Sequence, residues 1–408
     1  MNGGGSRSTQ PEVVGIRKVL VVSACLPPMV SGSSKMMRNL LSPFPNESLV
    51  LLRGNNPLFS MGQESSLGPA EAVDIPLFLR ERKWGFGRFP RFFEYLWVPL
   101  LTFRMVRVAR RERVSAIFAN YPYGYFLLSI WLANRFLKLP LYVYMHSLWE
   151  ETVDSALDAF MAGLFERRIF TDARAVYAPT DEAIDHYKKK HGIKVRLLPH
   201  AVDLEDGAPA EAQPPEIPDE GSPTVVFTGG IYKMNYDAVS AMVKAVETFP
   251  PVPGRGDLEM ILCTTTPPRS LEAMGIRGSR VDARLVDTQT AMRLQKQADL
   301  LYLPLAFETP WVDEIRTVFP TKAVEYFVSG KPILLHGPSE CFTVRDARKY
   351  GWAYVVDTRD SKALQEAVQR LLTEQSLREK LVANAWAAAA RRDARKIAAD
   401  LQRDMGLL

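Results

Sequence analysis

The chain has 408 residues, 47% hydrophobic and 24% charged, with a net charge of +5. That length is too great for one hydrophobic core and predicts two domains of ordinary size. The composition excludes a chain disordered throughout and a collagen or coiled coil, and no solenoid period occurs.

Residues 1–10 lack the apolar core of a signal peptide and read as a loose tail. The first predicted strand is Val19 to Ser23, followed by a loop with Gly32, Ser33 and Ser34 and a helix from about Lys35. Leu49 to Leu52 is a second strand, and a further element leads to a helical stretch over Glu94 to Arg113. Ala116 to Ala119 (strand), Tyr125 to Leu137 (helix) and Leu141 to Met145 (strand) follow. The apolar run from Tyr121 to Met145 is interrupted by Asn134, Arg135, Lys138 and Pro140, so it falls short of the ~20 residues of a membrane span. A helix near Thr152 to Ile169, a strand Ala175 to Ala178, a helix Asp181 to Lys190 and a strand Val195 to Leu198 complete the first half.

Gly207 to Pro223 is rich in Pro, Gly and acid and reads as an interdomain linker. The alternation then restarts. Strands are expected at Thr224 to Thr228, Leu258 to Cys263, Ala283 to Val286, Leu300 to Leu303, Ile333 to Leu335 and Ala353 to Val356, with helices between, the first at Asn235 to Thr248. From Ser376 onward the chain is Ala-, Arg- and Leu-rich and strongly helix-forming. Strands alternating with helices predict two doubly wound α/β domains, residues 14–206 and 223–408, whose ligands lie at the carboxyl ends of the strands, in the cleft between domains. Cys25, Cys263 and Cys341 are far apart, without pairing or metal spacing, which points to a reducing, cytoplasmic setting.

The most informative segment is Phe319-Pro-Thr-Lys-Ala-Val-Glu-Tyr-Phe-Val-Ser-Gly-Lys-Pro-Ile-Leu-Leu335. Pro320 and Thr321 suit a helix start, Gly330 its stop, Pro332 prevents continuation, and a buried strand follows. Glu325 stands one turn into that helix. Here the sequence resembles the family-4-like glycosyltransferases of the GT-B fold (glycosyl transferases group 1), whose two Rossmann-like domains face a cleft. The resemblance implies that Glu325 binds the nucleotide ribose and that the amides near Thr321, with Lys322, hold the donor diphosphate. It also implies that the C-terminal tail crosses back to the N-terminal domain.

Four further motifs extend the resemblance over most of the chain. Val19-Leu-Val-Val-Ser followed by the loop to Gly32 and Ser33 resembles the family's first strand and glycine-rich loop, where backbone N–H groups approach a phosphate; the residues also fit an ordinary strand-to-helix turn. Leu141-Tyr-Val-Tyr-Met-His146-Ser-Leu-Trp149 resembles a strand end at which His146 contacts the sugar or the leaving phosphate, with Ser147 where the family usually has Asp. Pro199-His200-Ala201-Val202-Asp203 resembles the domain junction and reads as a structural hinge. Gly229-Gly230-Ile-Tyr-Lys233-Met-Asn235 resembles the segment that usually supplies an Arg and a Lys to the diphosphate; here Gly230 and Asn235 occupy those positions, and Lys233 and Lys322 are the substitutes. The family's first acidic residue falls on Glu308, favoured over Glu314, with sixteen residues between Glu308 and Glu325 and an apparent inserted loop at 309–317. His186, His191 and His336 read as surface or helix-end residues.

No Asp-x-Asp pair stands beside a suitable strand, and the dinucleotide fingerprint is absent, so neither an obligate metal nor a nicotinamide cofactor is expected. Residues 80–113 carry ten basic and three acidic residues interleaved with eight aromatics. That mixture suits an anionic membrane surface, an ordinary solvated helix face with a core-facing aromatic stripe or, less well, nucleic acid. The combined expectation is a cytoplasmic, retaining, metal-independent glycosyltransferase, docked peripherally on the inner membrane face. It moves sugar from a UDP- or GDP-sugar to a lipid-linked or cell-envelope glycan acceptor, with no nucleic-acid partner. The alternatives are a non-catalytic scaffold or nucleotide-sugar sensor of the same fold and, third, an epimerase.

Overall fold

A computed structural model describes residues 17–27, 29, 31–55, 71–76, 92–121, 123–153, 155–204 and 221–408. The N-terminal tail at 1–10, most of the linker and residues 80–91 of the basic segment lie outside the described residues.

Among the described residues the strands form two parallel sheets. The first contains β1 (Val19–Ser23), β2 (Leu49–Asn55), β3 (Glu71–Pro76), β4 (Ala116–Tyr121), β5 (Leu141–Met145), β6 (Ala175–Ala178) and β7 (Val195–Leu197), in the order 3-2-1-4-5-6-7. The second contains β8 (Thr224–Thr228), β9 (Glu259–Cys263), β10 (Val281–Arg284), β11 (Leu300–Pro304), β12 (Ile333–His336) and β13 (Tyr354–Val356), in the order 10-9-8-11-12-13. Both are doubly wound, and in each the strand order reverses next to the first strand of the sheet, at β1/β4 and β8/β11. β1, β4 and β5 are buried along their whole length, as strands with helices on both faces must be, so their apolar runs identify them from sequence.

Three expectations shift. The helical stretch 94–113 divides into Phe92–Leu96 and Val98–Arg111, because Pro99 lacks an N–H and suits a first turn. β10 begins two residues before its expected start; as a mostly exposed edge strand it carries little burial signal. The inserted segment 309–317 is not all loop: Val312–Thr317 forms a helix that buries Glu314, Ile315 and Thr317.

The chain's last helix, Ala394–Met405, lies against the first lobe and not the second. Ala398, Leu401 and Met405 pack with Val19, Val21, Met37 and Leu40 in one buried cluster. Tyr177 Oη donates to Asp404 (2.9 Å), Arg196 pairs with the same carboxylate (2.7 Å), and Arg17 donates to the Gly406 carbonyl (2.9 Å). Where the chain returns, Val202 and Asp393 form a parallel bridge: Val202 N–H donates to Arg392 O (2.8 Å) and Ala394 N–H to Val202 O (2.9 Å).

Candidate functional site

The carboxyl ends of β1, β4 and β5 carry the polar residues that their apolar interiors exclude. Ser23 ends β1, Asn120 lies at the end of β4 and His146 follows β5, and all three are buried. Asn120 Nδ2 donates to Ser23 Oγ (3.2 Å), which leaves its Oδ1 to accept from His146 Nδ1 (3.1 Å). His146 Nε2 is then the bare nitrogen and accepts the Ser33 hydroxyl (2.9 Å). Burial pushes the His146 pKa down to about 4, so the ring is neutral near pH 7. Ser33 lies in the first turn of helix Gly32–Leu41, which Ser31 caps by accepting the Ser34 N–H (3.1 Å).

The second lobe presents helix Thr321–Phe327 to this wall. A Cβ on Gly32 would stand 2.6 Å from Thr321 Oγ1, so the two helix starts abut. Lys322 lays its stem over Gly229, where a Cβ would be 3.0 Å from Lys322 Cε; the φ of +139° at Gly229 also favours glycine. The Glu325 side chain, 7% exposed, lies between two cations: Lys322 Nζ at 3.5 Å within its own helix and Lys35 Nζ at 3.4 Å from the opposite lobe. Burial alone would raise its pKa, but Lys322 and Lys35 together outweigh that and hold the carboxyl below its ordinary value. Glu325, Lys35, Asn39, Asp203, Gln295 and Lys296 line an inter-lobe cleft with about 450 Å³ of space, including the solvent at its mouth.

The structure thus brings together Gly32, Ser33, His146, Gly229, Thr321, Lys322 and Glu325. It does not add the remaining candidates. Asn235 caps its own loop: its Oδ1 accepts the Tyr232 N–H (3.0 Å) and its Nδ2 donates to the Gly230 carbonyl (3.1 Å), which fixes both residues in the turn before helix Tyr236–Glu247. Lys233 is exposed and sits 5.3 Å from the Trp311 ring centroid. Glu308 is 66% exposed and paired with Arg359 at 2.7 Å. The carboxylate buried beside the His146 strand end is Glu314, against the expected preference for Glu308. Lys35, Asn120 and Ser23 were not among the sequence candidates. Polar residues at the ends of apolar strands were the available signal for the latter two, whereas nothing local marks Lys35.

The other histidines pack or bond within the protein. His336 bonds Tyr302 Oη (2.7 Å) and Thr358 O (2.8 Å), His200 packs edge-on against Phe319, and His186 and His191 bond Glu151 and Glu166. His336 is therefore fully buried, not at the surface as expected. Burial lowers the pKa of His336 to about 4 and of His200 to about 3. Together with His146, these rings stay neutral when folded but take a proton near pH 6.5 when unfolded. The folded state binds fewer protons, so this contribution to stability is full above pH 6.5 and falls as pH drops through the window towards 4. Each histidine can remove up to ~1.4 kcal/mol per pH unit in that window. Urea denaturation at pH 5 is expected to show a midpoint clearly below that at pH 7; equal midpoints would mean that the rings are not held neutral.

Among the described residues no group of His, Cys, Asp and Glu is arranged to hold a metal ion, and no helix is long and apolar enough to cross a membrane. Residues 66–206 match the family Glycosyltransferase Family 4, and residues 222–374 match Glycosyl transferases group 1. The chain belongs to the family-4-like GT-B glycosyltransferases. Solved glycosyltransferases share its fold at low identity. Sucrose-phosphate synthase from Thermosynechococcus elongatus is 16% identical over 95% of this chain and 98% of its own, with a TM-score of 0.66. HepE from Anabaena, solved in complex with UDP and glucose, is 14% identical over 96% and 100%, also at 0.66. A glycosyltransferase from Rickettsia africae is 10% identical over 96% and 99%, at 0.61. No curated protein matches the chain in sequence. As a family-4-like glycosyltransferase the chain is an enzyme, and its two lobes are the two Rossmann-like domains of the GT-B fold.

Proposed function

We propose that this glycosyltransferase binds a UDP- or GDP-sugar in the inter-lobe cleft and passes the sugar, with retention and without a metal ion, to a lipid-linked or cell-envelope glycan. The observation that carries this reading is Glu325, a buried carboxylate between Lys35 and Lys322 at the place where the two helix starts abut. A carboxylate there accepts hydrogen bonds from ribose hydroxyls, and the lysines meet a diphosphate as point charges. The amides of the Gly32–Ser33 and Thr321 turns add fixed donors. His146, with a neutral ring oriented by Asn120, is the group assigned to the sugar hydroxyls. In the reaction the bond between the anomeric carbon and the diphosphate oxygen breaks. A bond to the acceptor oxygen forms on the same face, and the acceptor proton passes to the departing phosphate. Charge stabilisation of that leaving group is where Lys35 and Lys322 contribute most. They compensate for the Arg and Lys that the loop after β8 lacks. The Anabaena complex with UDP and glucose supports a uridine nucleotide as the first donor to test.

The acceptor side of the reading rests on helix Val98–Arg111 and the end of helix Phe92–Leu96 before it. Leu96, Leu100 and Phe103 are exposed at helical spacing, with Phe103 62% accessible, and Arg104, Arg107 and Arg110 follow on the same helix. Apolar side chains beside guanidinium groups suit a surface of anionic lipid at the cytoplasmic face.

One experiment tests both sides. The protein is given UDP- and GDP-sugars with vesicles that contain anionic phospholipid and a lipid extract. The expected result is nucleotide release, radiolabelled sugar in the lipid phase, and co-sedimentation at low salt that is lost at high salt. Nucleotide release with no lipid-borne label would remove the lipid-linked acceptor; no turnover and no binding of any nucleotide sugar would remove the donor assignment.

A further inference from the structure

The segment between Glu308 and Glu325 places a second acid in the molecule that the reading above does not use. Helix Val312–Thr317 belongs to the second lobe, yet Glu314 is buried against the first. Its Oε2 accepts the Leu148 N–H at 2.8 Å, and the Ser147 side chain also hydrogen-bonds it. Leu148 and Ser147 directly follow His146. Glu314 and His146 line one small inter-lobe pocket, with Pro179, Ala183 and Thr317. The contact is anchored one helical turn on, where the Thr180 hydroxyl donates to the Thr317 carbonyl across the lobes (2.7 Å). Arg345 of the second lobe and Glu182 of the first form an ion pair nearby.

We propose that Glu314 is a positioning residue: by accepting the Leu148 N–H it holds the loop that carries His146 against the second lobe, and it releases that loop when the lobes part. The catalytic arm of this inference rests on the glycosyltransferase reading. A carboxylate is suited to the task because it accepts from two donors at once, and the Leu148 N–H, in the loop beyond β5, has no sheet ladder to pair it and needs a partner when buried. The surroundings set how the clasp responds to protons. Burial raises the Glu314 pKa to about 7, the bonds from Leu148 and Ser147 pull it down in part, and Glu151 pushes it up. The groups around it are Glu151 of the turn 150–152, His186 and Tyr187 of helix Asp181–His191, Tyr121 of β4, His146, and Tyr232 of the loop after β8. Glu151 is bonded to His186 and Lys190, which bring its pKa down to about 2, so it remains ionised.

The sign follows by linkage. With the lobes in contact the Glu314 pKa is about 7; facing water it would return to the ordinary value near 4.5. Contact therefore takes up a proton. The stabilisation of the joined state is fully present below about pH 4.5 and is lost as pH rises through 7. Glu314→Gln keeps the shape and an accepting oxygen for Leu148 but removes the titration, whereas Glu314→Ala removes both.

The test compares wild type, Glu314→Gln and Glu314→Ala by amide hydrogen exchange at one fixed pH and by donor turnover between pH 6 and 8. Exchange of Leu148 is expected to speed up about tenfold or more in Glu314→Ala and to remain near wild type in Glu314→Gln. In turnover, kcat is expected to fall about tenfold in Glu314→Ala, with donor KM little changed, because the His146 loop is misplaced and donor binding is not lost. Glu314→Gln is expected to keep kcat but lose the pH dependence near 7. Unchanged Leu148 exchange in a folded Glu314→Ala would overturn the proposal, as would a Glu314→Gln that fails like Ala or titrates like wild type. Exchange requires no substrate. If wild type turns over no nucleotide sugar, the functional reading fails, and the Leu148 amide still decides whether Glu314 is the clasp.

Discussion

Glu325→Ala is expected to weaken UDP binding by about 100-fold while leaving inorganic pyrophosphate bound as well as before or better. The asymmetry follows from what surrounds the carboxylate. Glu325 is assigned to the ribose, and each hydrogen bond to a charged acceptor contributes roughly 1.5–3 kcal/mol. Removing it deletes those bonds for any nucleoside and leaves no partner that could replace them. The same change frees Lys35 and Lys322, which both neutralise Glu325, at 3.4 and 3.5 Å. Their positive field is then available to phosphate oxygens alone. Calorimetric titration with UDP, uridine and pyrophosphate separates the contributions. Equal losses for UDP and pyrophosphate would place Glu325 with the phosphates, and UDP affinity kept within about threefold would remove it from the site altogether. Glu325→Gln, which keeps one acceptor oxygen but no charge, should fall between the two.

Gly124→Ala is expected to be the most damaging single methyl group in the first lobe. Gly124 opens helix Gly124–Leu137, and a Cβ there would enter the ring of Trp149, overlapping Cζ2, Cε2 and Nε1. Trp149 is fully buried, tilted against Tyr121 at 6.1 Å, and cannot withdraw to solvent. Overpacking of this kind costs typically 1–3 kcal/mol, and a rigid indole places this case at the upper end. At roughly 2–4 °C per kcal/mol for a domain of this size, the first-lobe transition should drop by about 6–12 °C. Trp149 lies three residues past His146, so surviving protein should also turn over more slowly. Trp149→Leu in the same background tests the cause. If the clash is responsible, the double variant should be more stable than the sum of the single effects requires; additive losses would locate the damage elsewhere.

Strands were the most legible part of this sequence. Leu141–Met145 and Ala175–Ala178 begin and end where their apolar runs do, because both faces of those strands are covered and burial alone dictates their composition. β10 was displaced by two residues for the opposite reason, since an exposed edge writes little into its side chains. Within the site, Glu325 was visible as an acid early in an otherwise apolar helix. Its partner Lys35 was not, since the pair is formed by two lobes 290 residues apart in sequence and the local pattern around Lys35 is that of any amphipathic helix. Glu308 and Glu314 show the limit most clearly. Motif spacing favoured the former, but the inserted segment folds into a helix that turns Glu314 into the first lobe and leaves Glu308 with Arg359 at the surface. Whether an acid faces inward there depends on a packing partner in the other lobe, which no window of residues contains.

The seat of the final helix on β1 and on helix Gly32–Leu41 has a consequence for how the protein is made. Leu401, Met405 and Ala398 cover Val19, Val21 and Leu40, so the lobe that leaves the ribosome first lacks part of its apolar lining until residues 394–405 have been translated. During elongation of everything between, that surface stays sticky and is a natural client for a chaperone. Removing residues 394–405 would therefore be felt in the first lobe, as aggregation of the part made earlier.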